Sequence, residues 1–206
     1  SVIKTSTTDG EIHLRWTKPL KSQFDTIMHP GPYQYEIFRS KDNSGFTSVF
    51  KLPFTTFSQV IDTNYIDKAL NTESSQYFYY VQLTSGDNYN SKSADASSVF
   101  LNIIPSDKKN ILSWQSSTPW ANKEHTIFLK NDLGVFEYLA TTNSPSYQHE
   151  NLINDKLYCY KVETIGTYSF ENIEDPIYNF SQEYCQKPKD NVAPCPPITT
   201  VENICD

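Results

Sequence analysis

Methionine occurs once in 206 residues and glycine six times. Cysteine is absent until Cys159. So few glycines leave no Gly-rich phosphate loop, and there is no Gly-x-Ser-x-Gly elbow for a nucleophile. No long Ala/Leu/Glu/Lys stretch favours a helix, and no segment keeps a helical hydrophobic period. Basic clusters are missing too: the longest Lys/Arg run is Lys108-Lys109, in a chain of net charge −7 and pI about 5.1. Phosphate neutralisation needs a basic stripe, so nucleic acid is excluded as a partner, and an acidic chain suits anionic membranes poorly. No apolar run approaches the roughly 20 residues of a membrane-spanning helix, so membrane insertion is not expected. No signal peptide precedes Ser1, and the sequence stops abruptly at Cys205-Asp206, which reads as a piece of something longer.

Aromatics are plentiful, with 14 Tyr and 12 Phe. Such side chains suit a pleated, half-buried surface. Strand-like segments recur at Glu11 to Trp16, Tyr33 to Arg39, Gly45 to Leu52, Tyr77 to Leu83 and Ser97 to Ile103. After Pro105 the series restarts at Asn110 to Trp114, Thr126 to Lys130, Val135 to Ala140, Tyr158 to Thr164 and Tyr178 to Cys185. Short strands with regular turn signals predict an all-β sandwich or barrel. The restart is an internal repeat. Glu11-Ile-His-Leu-Arg-Trp16 matches Asn110-Ile-Leu-Ser-Trp114, and Tyr35-Glu-Ile-Phe-Arg39 matches Thr126-Ile-Phe-Leu-Lys130. Tyr65 and Leu70 match Tyr147 and Leu152 at the same spacing, and Tyr77-Phe-Tyr-Tyr-Val-Gln82 matches Tyr158-Cys-Tyr-Lys-Val-Glu163. Four matches in one order define two copies, the first with longer loops. The expected modules are 1–104 and 105–189, with a boundary near Ile104-Pro105-Ser106. Residues 190–206 read as a Pro-rich linker and the start of a third module.

Candidate chemistry is sparse. His13, His29, His125 and His149 are scattered without ligand spacing, so structural or surface roles are expected and no metal. Glu171, Glu174 and Asp175 form an acidic loop better read as solvated than as an acid–base pair. Asp42-Asn-Ser-Gly45 and Asp87-Asn-Tyr-Asn90 lack the alternating ligands of a calcium loop and read as turns. No cofactor is expected. Cys159, Cys185, Cys195 and Cys205 allow three connectivities, and no C-x-x-C pair supports a zinc reading. Trp120, in the polar segment Ser116 to His125, is the exposed-aromatic candidate for an interaction site, weighed against a ring folded back on its own sandwich. Asn179-Phe-Ser181 matches the N-glycosylation pattern inside an expected strand.

Taken together, these residues resemble the fibronectin type III family, and the expected fold class is all-β, in tandem fibronectin type III (Ig-like) β-sandwiches. The resemblance makes Trp16 and Trp114 core residues of an early strand. It makes Tyr77 and Tyr158, preceded by Leu70 and Leu152, tyrosine corners whose hydroxyls reach backbone upstream. It makes the strands of Cys159 and Cys185 neighbours, implying a cross-strand disulfide, and leaves Cys195 to pair with Cys205. Finer features resemble modules of gliding-motility-associated, type IX-secreted surface proteins of Bacteroidetes: Gly10 to Trp16, Asp25-Thr26 before Pro30-Gly-Pro-Tyr33, Ser181 to Cys185, and Ala193 to Pro197. Asp25-Thr26-Ile27 also resembles the short O-glycosylation signal of that phylum, with Thr26 as acceptor. The implied function is non-catalytic. The segment would be a spacer or adhesin at a cell surface, in contact with other modules of the same chain, surface proteins or glycans. The alternatives are an accessory module of a secreted polysaccharide-degrading enzyme, or a subunit docked on a secretion or motility machine.

Overall fold

A computed structural model describes residues 1–19, 24–61, 63–169 and 173–191. Sixteen strands and one 3-10 turn, Phe57–Gln59, account for the regular structure among these residues. The first sandwich uses β1 (Val2–Thr8), β2 (Glu11–Trp16), β3 (Tyr33–Ser40), β4 (Thr47–Phe54), β5 (Thr63–Asp67), β6 (Phe78–Thr84), β7 (Asn90–Lys92) and β8 (Ala96–Ser97). One sheet runs β1-β2-β5 and the other β4-β3-β6-β7, with β8 also on β6. The second sandwich repeats the plan with β9 (Phe100–Ser106), β10 (Lys109–Gln115), β11 (Ala121–Lys130), β12 (Phe136–Thr142), β13 (Ser146–His149), β14 (Tyr158–Thr167), β15 (Ile177–Phe180) and β16 (Tyr184–Gln186). Its sheets run β13-β10-β9 and β12-β11-β14-β15, with β16 on β14.

Strict alternation makes β2 and β6. Ile12, Leu14 and Trp16 point inward on β2 while Glu11, His13 and Arg15 point out. Tyr77, Tyr79, Val81 and Leu83 do the same along β6 and the residue before it. Each sandwich has its own cluster. One gathers Trp16, Tyr35, Ile37 and Tyr79, the other Leu101, Leu112, Trp114, Ile127 and Tyr160.

The module boundary differs from the one expected near Ile104-Pro105-Ser106. Phe100–Ser106 pairs with β10 throughout, so it opens the second sandwich rather than closing the first. The first sandwich closes instead with the short β7 and β8, and only Ser98 and Val99 separate β8 from β9. The cause is β1. Its sequence, Val-Ile-Lys-Thr-Ser-Thr-Thr, shows no apolar alternation, so it is not legible as a strand, and the whole series shifts by one. The expected strand Tyr178 to Cys185 is likewise two strands, β15 and β16, interrupted at residues 181–183. Cys195, Cys205 and the expected third module lie outside the described residues.

Candidate functional site: the module junction and the free loop end

Tyr77 is 1% exposed, and its hydroxyl accepts a hydrogen bond from the Asn71 amide at 3.0 Å. In the second sandwich the Tyr158 hydroxyl accepts from the Ile153 amide at 3.1 Å. Each contact lies one residue past the paired Leu70 or Leu152. Leu152 is buried, while Leu70 and Tyr158 are half-buried and pack on their clusters. Cys159 and Cys185 face each other across β14 and β16 and are joined by a disulfide. Glu183 lies beside this bridge, but the two sulfurs are bonded to each other and Lys130 Nζ sits 2.9 Å from both Glu183 oxygens.

The second tyrosine of each repeat makes a partnership that the sequence did not single out. Tyr79 donates to Asp67 at 2.9 Å, and Arg39 bonds both oxygens of the same buried carboxylate at 3.0 Å. Burial and the neighbouring Asp67 push the Tyr79 phenol upward. Tyr160 occupies the matching place. Its hydroxyl meets His149 Nδ1 at 3.0 Å and Asn110 Nδ2 at 3.3 Å, and burial pushes it up to about 12. Asp67 and His149 stand at equal positions, two residues after Tyr65 and Tyr147.

Trp120 is not an exposed recognition residue. It is 4% exposed and packs into the core cluster of the first sandwich together with Ile177, Tyr168 and Ile173. Its indole donates to Asn122 Oδ1 at 3.1 Å. A side chain at Gly166 would lie 2.7 Å from the Trp120 ring, so glycine there lets the ring seat. Below this plug, β15 lies along the outer edge of β1. The Thr5 amide donates to Asn179 Oδ1 at 2.7 Å, the Phe180 amide to Ser6 Oγ at 2.9 Å, and Thr5 Oγ1 to the Ser97 carbonyl at 2.7 Å. Tyr168 bonds the Val2 carbonyl and Arg15 pairs with Glu174, closing the upper end. Asn179 is fully buried in this seam, with Nδ2 enclosed as well, so the sequon is sealed in the folded chain. These contacts explain why β1 is polar yet buried: its Thr and Ser side chains supply the polar partners that a neighbouring edge requires.

The end of the first sandwich where β1 starts and β2 finishes carries the loops β2–β3 and β6–β7. Asp25 Oδ1 accepts from the Ile27 and Met28 amides at 2.8 and 3.1 Å, making a tight turn. Thr26 in this turn is half-buried. The His29 ring stacks on Tyr89 at 3.8 Å and bonds Asp87 at 2.9 Å. Hydrogen bonds from Ser85 and His29 hold the Asp87 carboxyl down at about 2. The Gly86 amide donates to the Pro30 carbonyl at 2.8 Å, and a side chain at Gly86 would lie 2.4 Å from the Gly31 carbonyl oxygen, so the loops touch backbone to backbone. This frame thrusts Ile27 and Met28 outward at 92% and 68% exposure. In the other turn, Asp42 Oδ1 accepts from the Ser44 amide at 3.0 Å.

Three strands facing five, twice over in the same order, make two tandem antiparallel β-sandwiches with the strand order of the fibronectin type III fold. No family model and no curated protein matches the chain. Among solved structures, the FN1–FN3 domains of chicken CNTN1 align with 92% of this chain at 14% identity and a TM-score of 0.32. The central fibronectin-III array of RIM-binding protein aligns with 96% at 9% identity and a TM-score of 0.33. This chain spans 66% of the first of those chains and 71% of the second.

Proposed function

We propose that this chain is a non-catalytic, rigid two-module segment of an exported or cell-surface protein, serving as a spacer that positions other parts of a longer chain. The seam between β1 and β15 carries the reading. Two residues join the sandwiches, and side-chain hydrogen bonds and an aromatic plug close the gap, so the pair has no flexible linker to bend about. The Cys159–Cys185 bridge supports an oxidising compartment. No described helix is long and apolar enough to cross a membrane. The narrower assignment, to gliding-motility-associated or type IX-secreted surface proteins, is part of the proposal and rests on the sequence resemblance of Gly10 to Trp16 and Ser181 to Cys185.

The test is tumbling in solution. Backbone NMR relaxation should give the two sandwiches one shared correlation time, and small-angle scattering should fit one rigid particle. Separate correlation times for 1–97 and 100–189 would overturn the spacer reading.

A further inference from the structure

Three ligand atoms of the kinds that bind zinc converge at the closing strand of the second sandwich. Cys159 and Cys185 are register partners on β14 and β16, both half-buried. Two residues before Cys185 comes Glu183, whose carboxylate lies 3.5 Å from the Cys185 sulfur. Both sulfurs and a Glu183 oxygen lie within 4.8 Å of one another. Around a tetrahedral zinc, ligand atoms of these kinds stand roughly 3.5–3.8 Å apart. Glu183 is therefore already near ligand distance, and the sulfurs need only separate by side-chain rotation. While they are bonded to each other, neither can hold a metal.

We infer that reduction of the Cys159–Cys185 bridge creates a binding site for a tetrahedral, thiolate-seeking dication of the zinc class, with Cys159, Cys185, Glu183 and one water as ligands. This inference is independent of the spacer reading. The opening step is exchange with a thiol reductant, which gives up two electrons and two protons, becomes a disulfide itself and leaves two protein thiols. The metal then displaces both thiol protons to solvent. Three observations support the site. First, β16 does not rest on the bridge alone. Its ladder pairs 158–160 with 184–186, and Gln182 bonds both ways to Leu101, so the thiols stay face to face after reduction. Second, there is an entry path. An open crevice of about 360 Å³ runs between Asp9 and Glu73 of the first sandwich and Lys130, Glu183 and Cys185 of the second. The carboxylates on its far wall favour entry of a dication, and solvent there supplies the fourth ligand. Third, Lys130 Nζ sits 2.9 Å from both Glu183 oxygens. One oxygen turns to the metal and Lys130 keeps the other, which is how a ligating carboxylate is steadied. The same two sulfurs thus tie β16 to β14 in either redox state, covalently or through the metal.

The test uses Co²⁺ as a spectroscopic stand-in for Zn²⁺, on the 206-residue chain carrying Cys195→Ser and Cys205→Ser so that one cysteine pair remains. The chain is reduced with a dithiol, which is then removed without air, and circular dichroism checks that it stays folded. Titration with Co²⁺ should raise a thiolate-to-cobalt charge-transfer band that saturates at one ion per chain and is bleached by Zn²⁺. The oxidised chain should show no band. Glu183→Gln should weaken Co²⁺ binding by at least about tenfold. Zn²⁺ should slow amide exchange along 184–186 in the reduced chain and leave the oxidised chain unchanged. Absence of the band would overturn the inference. So would equal affinity in Glu183→Gln, which would mean two thiols acting without the carboxylate, or a reduced chain that unfolds and does not refold on adding the metal.

Discussion

At the residue scale, the two copies solve the same problem with different chemistry. Tyr77 and Tyr158 each satisfy an upstream amide. A paired buried hydroxyl contributes about 0.5–1.5 kcal/mol, so Tyr158→Phe should lower the melting temperature by a few degrees with an unchanged circular dichroism spectrum. The same loss is expected for Tyr77→Phe. The second tyrosine diverges between copies. The first sandwich pairs Tyr79 with an anion held by Arg39; the second pairs Tyr160 with His149. That choice makes the second sandwich the acid-sensitive one. Burial lowers the pKa of both His149 and His125, whose ring sits edge-on to Trp114 at 5.1 Å. In the unfolded chain both titrate near the ordinary value of about 6.5. The unfolded state therefore takes up protons first, and stability present above that value is lost as pH falls below it. The denaturant midpoint of the chain should fall between pH 7.5 and 5.5, and His149→Gln should flatten the slope. Asp87 acts in a separate, lower window, between the ordinary carboxylate value and about 2.

At the element scale, the closing strand of the second sandwich is the weak member. β16 has three residues and is tied to β14 by one bridge and a short ladder. The bridge closes a loop with a sequence separation of 26. In the chain-entropy model a loop of that size is worth about 3 kcal/mol. Reduction, or Cys159→Ser with Cys185→Ser, should lower the unfolding free energy by about that amount and raise amide exchange first along 184–186. Unchanged exchange there would mean that Gln182, bonded both ways to Leu101, holds the strand by itself. β1 teaches the opposite lesson. Its sequence looks like a loop, yet it is buried on both sides because a second sheet edge supplies what its pattern lacks.

For the whole molecule, the junction is expected to make one cooperative unit from two cores. Trp120 belongs to the second sandwich in sequence and to the first in packing. Removing a large buried aromatic costs about 3–5 kcal/mol. Trp120→Ala should therefore do more than destabilise: calorimetry should show one transition in the parent chain and two in the variant. Two transitions already in the parent chain would mean that the seam contributes little coupling.

The sequence by itself determined the all-β class and the two copies, and the family resemblance carried by its motifs implied the core tryptophans, both tyrosine corners and the Cys159–Cys185 pairing. These are properties of period-two alternation and of motifs whose partners lie within one sandwich. Tertiary structure alone decided where one module ends, that β1 is a strand, that Trp120 is an anchor rather than a free aromatic, and that Asn179 is sealed. The burial of β1 and of Asn179 depends on contact between residues far apart in the chain, such as Thr5 with Asn179, and the place of Trp120 depends on a core built by the other sandwich. No local pattern encodes such a contact. A polar Thr/Ser strand reads the same whether water or another sheet edge satisfies its backbone, and only the packing of the two sandwiches says which.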